Sequence, residues 1–274
     1  MTVVVVGAGN LAHALVRGWH APDRTGGTDR VVRVLARSAS YREKGWDPDL
    51  ESLITREAAV VETAEVLVLA VKPKDIEETS LALAERVARG VPVISVAAGI
   101  PLARLETWWP GHPLARVMPN VCIAVGEGTT AAAYGGTGPE EARQWTRRLF
   151  APLGYLAEVP EEQLDAVTAL SGSGPAYLYL VIDALVRAGT ALGLPADLAR
   201  ELAARTVRGA GSMALAYPDR PPARLIAEVA SPGGTTEAAL RVLEAQEVPD
   251  RLVEAIRSAG AKAQALGRVS APAR

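Results

Sequence analysis

With 274 residues, 49% of them hydrophobic, the chain is long enough for one large or two medium domains with a substantial core. A formal net charge of −2 calls for neither nucleic acid nor an anionic membrane, and a single cysteine, Cys122, excludes internal disulfides and a cysteine-built zinc site. No secretory leader and no apolar run of membrane-spanning length is expected, so the sequence reads as cytoplasmic.

The run Thr2–Val6 is β-branched throughout, which suits a parallel strand buried on both faces. It ends in Gly7-Ala8-Gly9-Asn10-Leu11-Ala12, a G-x-G-x-x-A turn opening a helix to about Trp19. Gly7 allows the tight turn, Gly9 lets a pyrophosphate approach the backbone, and Ala12 permits close helix–strand packing, so this end is expected to bind a dinucleotide. After a loop over Ala21–Arg30, a second strand, Val31–Leu35, ends in Ala36-Arg37-Ser38. An NAD site usually carries an acid at that place to accept from the ribose 2′-OH. A guanidinium and a hydroxyl suit a 2′-phosphate instead, so the expected cofactor is NADP, with NADPH preferred over NADH.

Strand and helix continue to alternate. Val66–Val71 reads as a strand ending in Ala70-Val71-Lys72-Pro73, followed by a helix from about Asp75 to Ala88. Pro92–Val96 is a strand ending in Ala97-Ala98-Gly99, with a helix over Leu102–Trp108, and Leu114–Met118 leads to Pro119-Asn120. Ligands of doubly wound sheets bind at the carboxyl ends of the strands, which brings Ala70, Val71, Lys72, Pro73, Ala97 and Asn120 into the cofactor set beside Gly7, Ala8, Gly9, Asn10, Leu11, Arg37 and Ser38. Past Gln163 only helical patterns remain. The fold class is therefore α/β: a Rossmann-type dinucleotide-binding domain over 1–160, followed by an all-helical domain over 161–274.

Two glycine-rich turns in the second half each run into an alanine- and leucine-rich helix: Asp165–Tyr177 and Val229–Glu244. Such turns present unpaired N–H groups to an anion. In the second, Ser231-Pro232 stops one helix, Gly233-Gly234 lets the backbone come close to a ligand, and Thr235-Thr236-Glu237 is expected to open the next helix with N-cap chemistry. The helix after Pro175 is apolar on nearly every face and is expected to be shared between subunits.

These residues carry a family resemblance. The chain resembles pyrroline-5-carboxylate reductase from Val3 to about Leu266. The resemblance rests on GAGNLA, AVKP (Ala70–Pro73), VAAG (Val96–Gly99), RVMPN (Arg116–Asn120), ALSGSGPAY (Ala169–Tyr177), GLP (Gly193–Pro195) and SPGGTT (Ser231–Thr236). It implies NAD(P)H-dependent reduction of 1-pyrroline-5-carboxylate to L-proline, the last step of proline biosynthesis, in a homo-oligomer built from interlocked dimers. It departs from the family at Val121-Cys122, where another proline is usual, and at Glu228, where an amide is common.

Reduction of a protonated C=N needs little general acid. The site has to hold the ring carboxylate and place the imine carbon against the nicotinamide. The turn can supply donors to that carboxylate, which makes Val229, Ser231, Gly233, Gly234, Thr235 and Thr236 the expected substrate contacts. Thr236, taken from the family motif, is the expected catalytic residue, with its hydroxyl near the ring nitrogen. A threonine is too weak an acid to drive protonation, so positioning comes first.

Among the remaining polar residues, His13 and His20 read as scaffold on the first helix. Ser171 and Ser173 suit an interface as well as a ligand. No Ser-His-Asp set and no metal site is suggested. Two rival readings are a β-hydroxyacid-dehydrogenase-type reductase and a non-catalytic NADP-binding sensor. The first needs a lysine early in the helical domain, and of the four lysines, Lys44, Lys72, Lys74 and Lys262, none lies on the helix after Pro175.

Overall fold

In the computed structural model, which describes residues 1–21 and 30–269, the valine run forms strand β1 (Thr2–Val6). Its side chains alternate between two apolar clusters, Val3 and Val5 on one face, Val4 and Val6 on the other. A strand buried this way needs helices over both faces, and parallel crossovers provide them. Helix α1 (Asn10–His20) covers the first face with Ala12, Leu15, Val16 and Trp19. Strand β2 (Val31–Leu35) then returns parallel to β1. Most of the loop expected between them, 22–29, lies outside the described residues.

A short helix α2 (Pro48–Glu51) precedes β3 (Ile54–Thr55), which pairs with β2. On the other side of β1 lies β4 (Val66–Leu69). Helix α3 (Ile76–Leu83), strand β5 (Val93–Ser95) and helix α4 (Leu102–Trp108) follow, and Ile76, Leu83, Leu102, Leu105 and Trp108 fill the second face. The helix expected over 75–88 is α-helical only in its middle, with 3-10 turns at Pro73–Asp75 and Ala84–Arg86. Strand β6 (Pro113–Pro119) extends the parallel sheet.

Like α2 and β3, three later elements were not expected. Strand β7 (Gly128–Gly136) runs antiparallel to β6, and helix α5 (Pro139–Phe150) leads to β8 (Gly154–Glu158), parallel to β7. The sheet order is β3-β2-β1-β4-β5-β6-β7-β8. Helix α5 joins α1 on the first face, where the buried Trp19 Nε1–H donates to the Leu149 carbonyl at 2.8 Å.

After β8 the chain is helical, as expected. A short α6 (Leu164–Val167) and a π-helical turn at Thr168–Gly172 are anchored by Arg116 on β6, which is 5% exposed. Arg116 donates to Asp165 Oδ1 at 2.7 Å and to Glu161 Oε1 at 3.2 Å. The same Glu161 oxygen accepts the Leu102 N–H at 2.7 Å, so one carboxylate neutralises a buried cation and satisfies the start of α4.

The chain divides into two compact units, 1–173 with 259–274, and 174–258. The second contains α7 (Gly174–Ala191), α8 (Ala196–Ala216), α9 (Pro222–Val229), α10 (Thr235–Ala245) and the start of α11 (Val248–Val269), whose end returns to the first unit with Ala263 buried. Helices α7 and α8 meet through small residues; a Cβ added to Gly189 would stand 3.2 Å from Ala199 Cβ. Leu178, Tyr179, Leu180 and Val181 on α7 stay exposed within the chain. The stretch Glu161–Ala191 is long and apolar enough to cross a membrane by length and composition, which corrects the expectation that no run reaches that length.

Arg116→Met should cost about 3 kcal/mol in a urea denaturation, the low end for breaking a buried ion pair, because Asp165 and Glu161 can partly regain water. A loss below about 0.5 kcal/mol, the scale of a neutral surface change, would show that Arg116 does not hold α6 to the sheet.

Candidate active site

The first unit carries a cleft of ≈ 470 Å³ at the carboxyl ends of β1, β2, β3 and β4. The turn after β1 forms its floor. Gly7 has φ +110°, and a Cβ there would stand 2.6 Å from the Ala70 carbonyl oxygen, so only glycine lets the two strand ends approach this closely. A Cβ on Gly9 would meet nothing within 4 Å; the missing side chain leaves the cleft open at the start of α1. Among the described residues no side chain caps α1, and its first turn has no acidic residue, so its N–H groups and dipole face the cleft uncompensated. A group carrying a pyrophosphate fits such a floor.

This turn is braced from outside. Trp46, 4% exposed, donates from Nε1 to the Ala8 carbonyl at 3.3 Å and stacks on His13 with ring centroids 4.9 Å apart. His13 Nε2 accepts the Asp47 N–H at 3.2 Å, so His13 serves as scaffold.

Of the residues expected at the cofactor, Gly7, Ala8, Gly9, Arg37, Ser38, Ala70, Val71 and Lys72 line the cleft. Asn10 and Leu11 begin α1 beside it, and Pro73 opens the 3-10 turn after Lys72. Ala97 and Asn120 follow β5 and β6, outside the cleft walls. The amide of Asn120 is engaged by backbone: it accepts from Cys122 and Thr129 N–H and donates to the Ser171 carbonyl at 3.1 Å, tying the π-helical turn to the end of β6. Arg37 lies 3.1 Å from Glu78 Oε2 and 3.5 Å from Asp75 Oδ1, with its side chain 67% exposed, so each pair contributes little stability by itself. Sequence reasoning missed Tyr41, Arg56, Lys74, Asp75 and Glu78, which also line the cleft. Arg56 follows a strand of two residues, too short to show in a hydrophobic pattern.

The second unit carries the other expected site. Val229 ends α9, and the turn Ser231–Gly234 closes with the Gly234 N–H on the Ser231 carbonyl at 3.0 Å. Gly233 takes φ +73°, a conformation glycine adopts without strain. The expected threonine cap is not found: the N-cap of α10 is Gly234, and Thr235 and Thr236 are its first helical residues. The Glu237 carboxylate reaches back instead to the Gly233 N–H and also binds Arg241 at 2.7 Å. The first ladder bond runs from Ala238 N–H to the Gly234 carbonyl, so the N–H groups of Thr235 and Thr236 stay outside the helix's own ladder. Glu228, the departure before Val229, is engaged by Arg220 and Arg224 at 3.1 and 3.2 Å.

Comparison with known proteins gives this arrangement a family. Residues 161–266 match the family model described as pyrroline-5-carboxylate reductase dimerisation, and residues 2–99 match one described as NADP oxidoreductase, coenzyme F420-dependent. The pyrroline-5-carboxylate reductase of Pisum sativum is 36% identical over 265 residues, covering 97% of this chain and 96% of its own. The chain belongs to the pyrroline-5-carboxylate reductase family. Two solved structures share the fold over 97% of this chain and 98% of theirs. One is the Plasmodium falciparum pyrroline carboxylate reductase with NADP bound, at a TM-score of 0.85 and 24% identity. The other is the 1-pyrroline-5-carboxylate reductase of Streptococcus pyogenes, at 0.82 and 28%.

The contacts of Glu237 give the turn a pH signature. Its bond to Arg241, then that to the Gly233 N–H, hold its carboxyl below the ordinary value of 4.5. A carboxyl depressed on folding stabilises above its unfolded pKa, and that contribution is lost as pH falls through the lower folded value. The Gly233 amide resonance should therefore titrate with a midpoint below 4.5, and Glu237→Gln should abolish the titration. A midpoint at or above that value would mean that the carboxylate does not hold this turn.

Proposed function

We propose that the protein reduces 1-pyrroline-5-carboxylate to L-proline with a nicotinamide dinucleotide, NADPH in preference to NADH. The observation that carries this reading is a cleft with a glycine floor and arginines beyond β2, in a chain that matches reductases of this family over nearly its whole length.

In this reading residues 1–160 hold the cofactor and residues 161–274 hold the substrate and the dimer contact. The α1 N-terminus and the turn Gly7-Ala8-Gly9-Asn10-Leu11 bind the pyrophosphate. Arg37 and Ser38 bind the 2′-phosphate, and Ala70, Val71, Lys72, Pro73, Ala97 and Asn120 lie along the path toward the nicotinamide. The cofactor, when bound, supplies a hydride. That hydride would go to the imine carbon of a ring whose nitrogen already carries its proton, so the residues of this chain have to hold and orient the ring. No strong acid is required of the protein, and the polar groups of the SPGGTT turn match that demand. The turn Ser231, Gly233, Gly234 and Thr235, with Val229 beside it, holds the ring carboxylate through backbone donors. The Thr236 hydroxyl positions the ring nitrogen.

The exposed apolar face of α7 supports a homo-oligomer built from interlocked dimers, since a surface this apolar is stable only when covered. A cytoplasmic location goes with this reading, the second copy rather than lipid covering the Glu161–Ala191 stretch. The β-hydroxyacid-dehydrogenase alternative lacks its lysine: Lys262, on α11, is the one lysine beyond residue 74. A sensor would not need the anion donors of the SPGGTT turn.

The test follows NADPH absorbance with racemic 1-pyrroline-5-carboxylate. The wild-type chain should oxidise NADPH only when the imine is present. Thr236→Ala should lower kcat/KM by about one to three powers of ten, the range of one lost active-site hydrogen bond with some misalignment. Thr236→Ser should recover most of that loss. No turnover by the wild-type chain would refute the reading, and wild-type kcat/KM in Thr236→Ala across pH would remove Thr236 from the site.

A further inference from the structure

The cleft walls carry four cations, Arg37, Arg56, Lys72 and Lys74, against two carboxylates, Asp75 and Glu78. They are not equivalent. Arg37 is held by both carboxylates, so an incoming anion must first displace them. Arg56 makes no ion pair among the described residues, although it lines the same space. Its position follows from the sheet. β3 pairs parallel with β2, Leu35 opposite Thr55, and the Ala36 N–H donates to the Thr55 carbonyl at 2.9 Å. Arg56 and Arg37 therefore leave two neighbouring strand ends almost in register. The order β3-β2-β1-β4 puts β3 on the side of β2 away from β1. The ribose 2′ position of a dinucleotide on such a sheet lies at the end of β2. Lys72 and Lys74 follow β4, on the opposite side of β1, nearer the pyrophosphate.

We infer that Arg56 is the principal cation reading the 2′-phosphate, acting from the β3 side, with Arg37 and Ser38 completing the contact from β2. The inference rests on the NADP reading above and assigns its specificity to a residue on a different strand. Three features support it. A guanidinium can form a two-pronged, charge-assisted contact to a phosphate. Binding at Arg56 breaks no ion pair made among the described residues, whereas recruiting Arg37 means releasing it from Glu78 and Asp75. The carboxylates also give Arg37 a resting partner when the ligand has only a 2′-OH, so Arg37 discriminates less between the two cofactors than Arg56 does.

The test measures calorimetric binding of two fragments to the intact protein: adenosine 2′,5′-bisphosphate, which carries the 2′-phosphate, and 5′-AMP, which does not. Wild type should bind the bisphosphate at least tenfold more tightly. Arg56→Met should weaken the bisphosphate by roughly ten- to a hundredfold, the range for one lost charge-assisted contact, and leave 5′-AMP within about twofold. Arg37→Met should lose less than Arg56→Met, and Arg56→Lys should recover part of the loss. Wild-type affinity for the bisphosphate in Arg56→Met, an equal loss of both fragments, or a larger loss in Arg37→Met would overturn the inference while leaving the NADP reading intact. No preference for the bisphosphate in the wild-type protein would overturn both.

Discussion

The approach of the Gly7 backbone to Ala70 is the constraint on which the cofactor half depends. With 2.6 Å between a notional Gly7 Cβ and the Ala70 oxygen, no side chain can stand at that corner. The approach follows from β1 and β4 being parallel neighbours, in register from Val3 opposite Val66 to Val6 opposite Leu69. That register in turn requires both faces of β1 to be covered, which the alternation of Val3 and Val5 against Val4 and Val6 achieves. Once the corner is closed, α1 must start at the cleft with its N–H groups outward, and the chain after β2 must pass the cleft's far wall. The places of Gly7, Ala8, Gly9, Arg37, Ala70 and Val71 on the cleft walls follow from this sequence of constraints.

The second unit works by a different logic. Its helices bury few of their own side chains, Pro175 in α7 and Ala199 and Ala203 in α8 among them. Apolar surface left out at that density contributes stability only when another surface covers it. The unit's polar chemistry is concentrated in one turn, where glycines shape the backbone and Glu237 occupies one of the outward N–H groups. Both halves thus place a glycine turn at a helix start, Gly9 before α1 and Gly234 before α10, which fits a chemistry that asks for placement rather than strong acids and bases.

What the sequence made legible was local. The bounds of β1 and β2 match their patterns residue for residue, because each is a short, mostly apolar run closed by a glycine or by Ala36-Arg37-Ser38, and α4 falls where expected between Pro101 and Pro110. Strand β7 was not legible: its centre, Thr129 to Tyr134, is alanine-rich, and alanine carries little strand preference. Helix α5 is mostly polar and buries only Ala142, Thr146, Leu149 and Phe150. The N-cap of α10 is not legible because Gly233-Gly234 reads as a close approach to a ligand and the threonines after it as the cap. The structure gives Gly234 the cap and leaves both threonines inside the helix. Arg56 could not have been found from pattern, since its place at the cleft comes from the pairing of a two-residue strand with β2.

The central claim is that a hydride moves from a dinucleotide held at the cleft to the imine carbon of the cyclic substrate. Incubating the protein with 1-pyrroline-5-carboxylate and NADPH deuterated stereospecifically at nicotinamide C4, on each face in turn, and weighing the product tests it directly. The account predicts proline one mass unit heavier from one of the two labelled cofactors, with the deuterium on the ring carbon that was the imine. Proline that carries no label with either, or no proline at all, would contradict it.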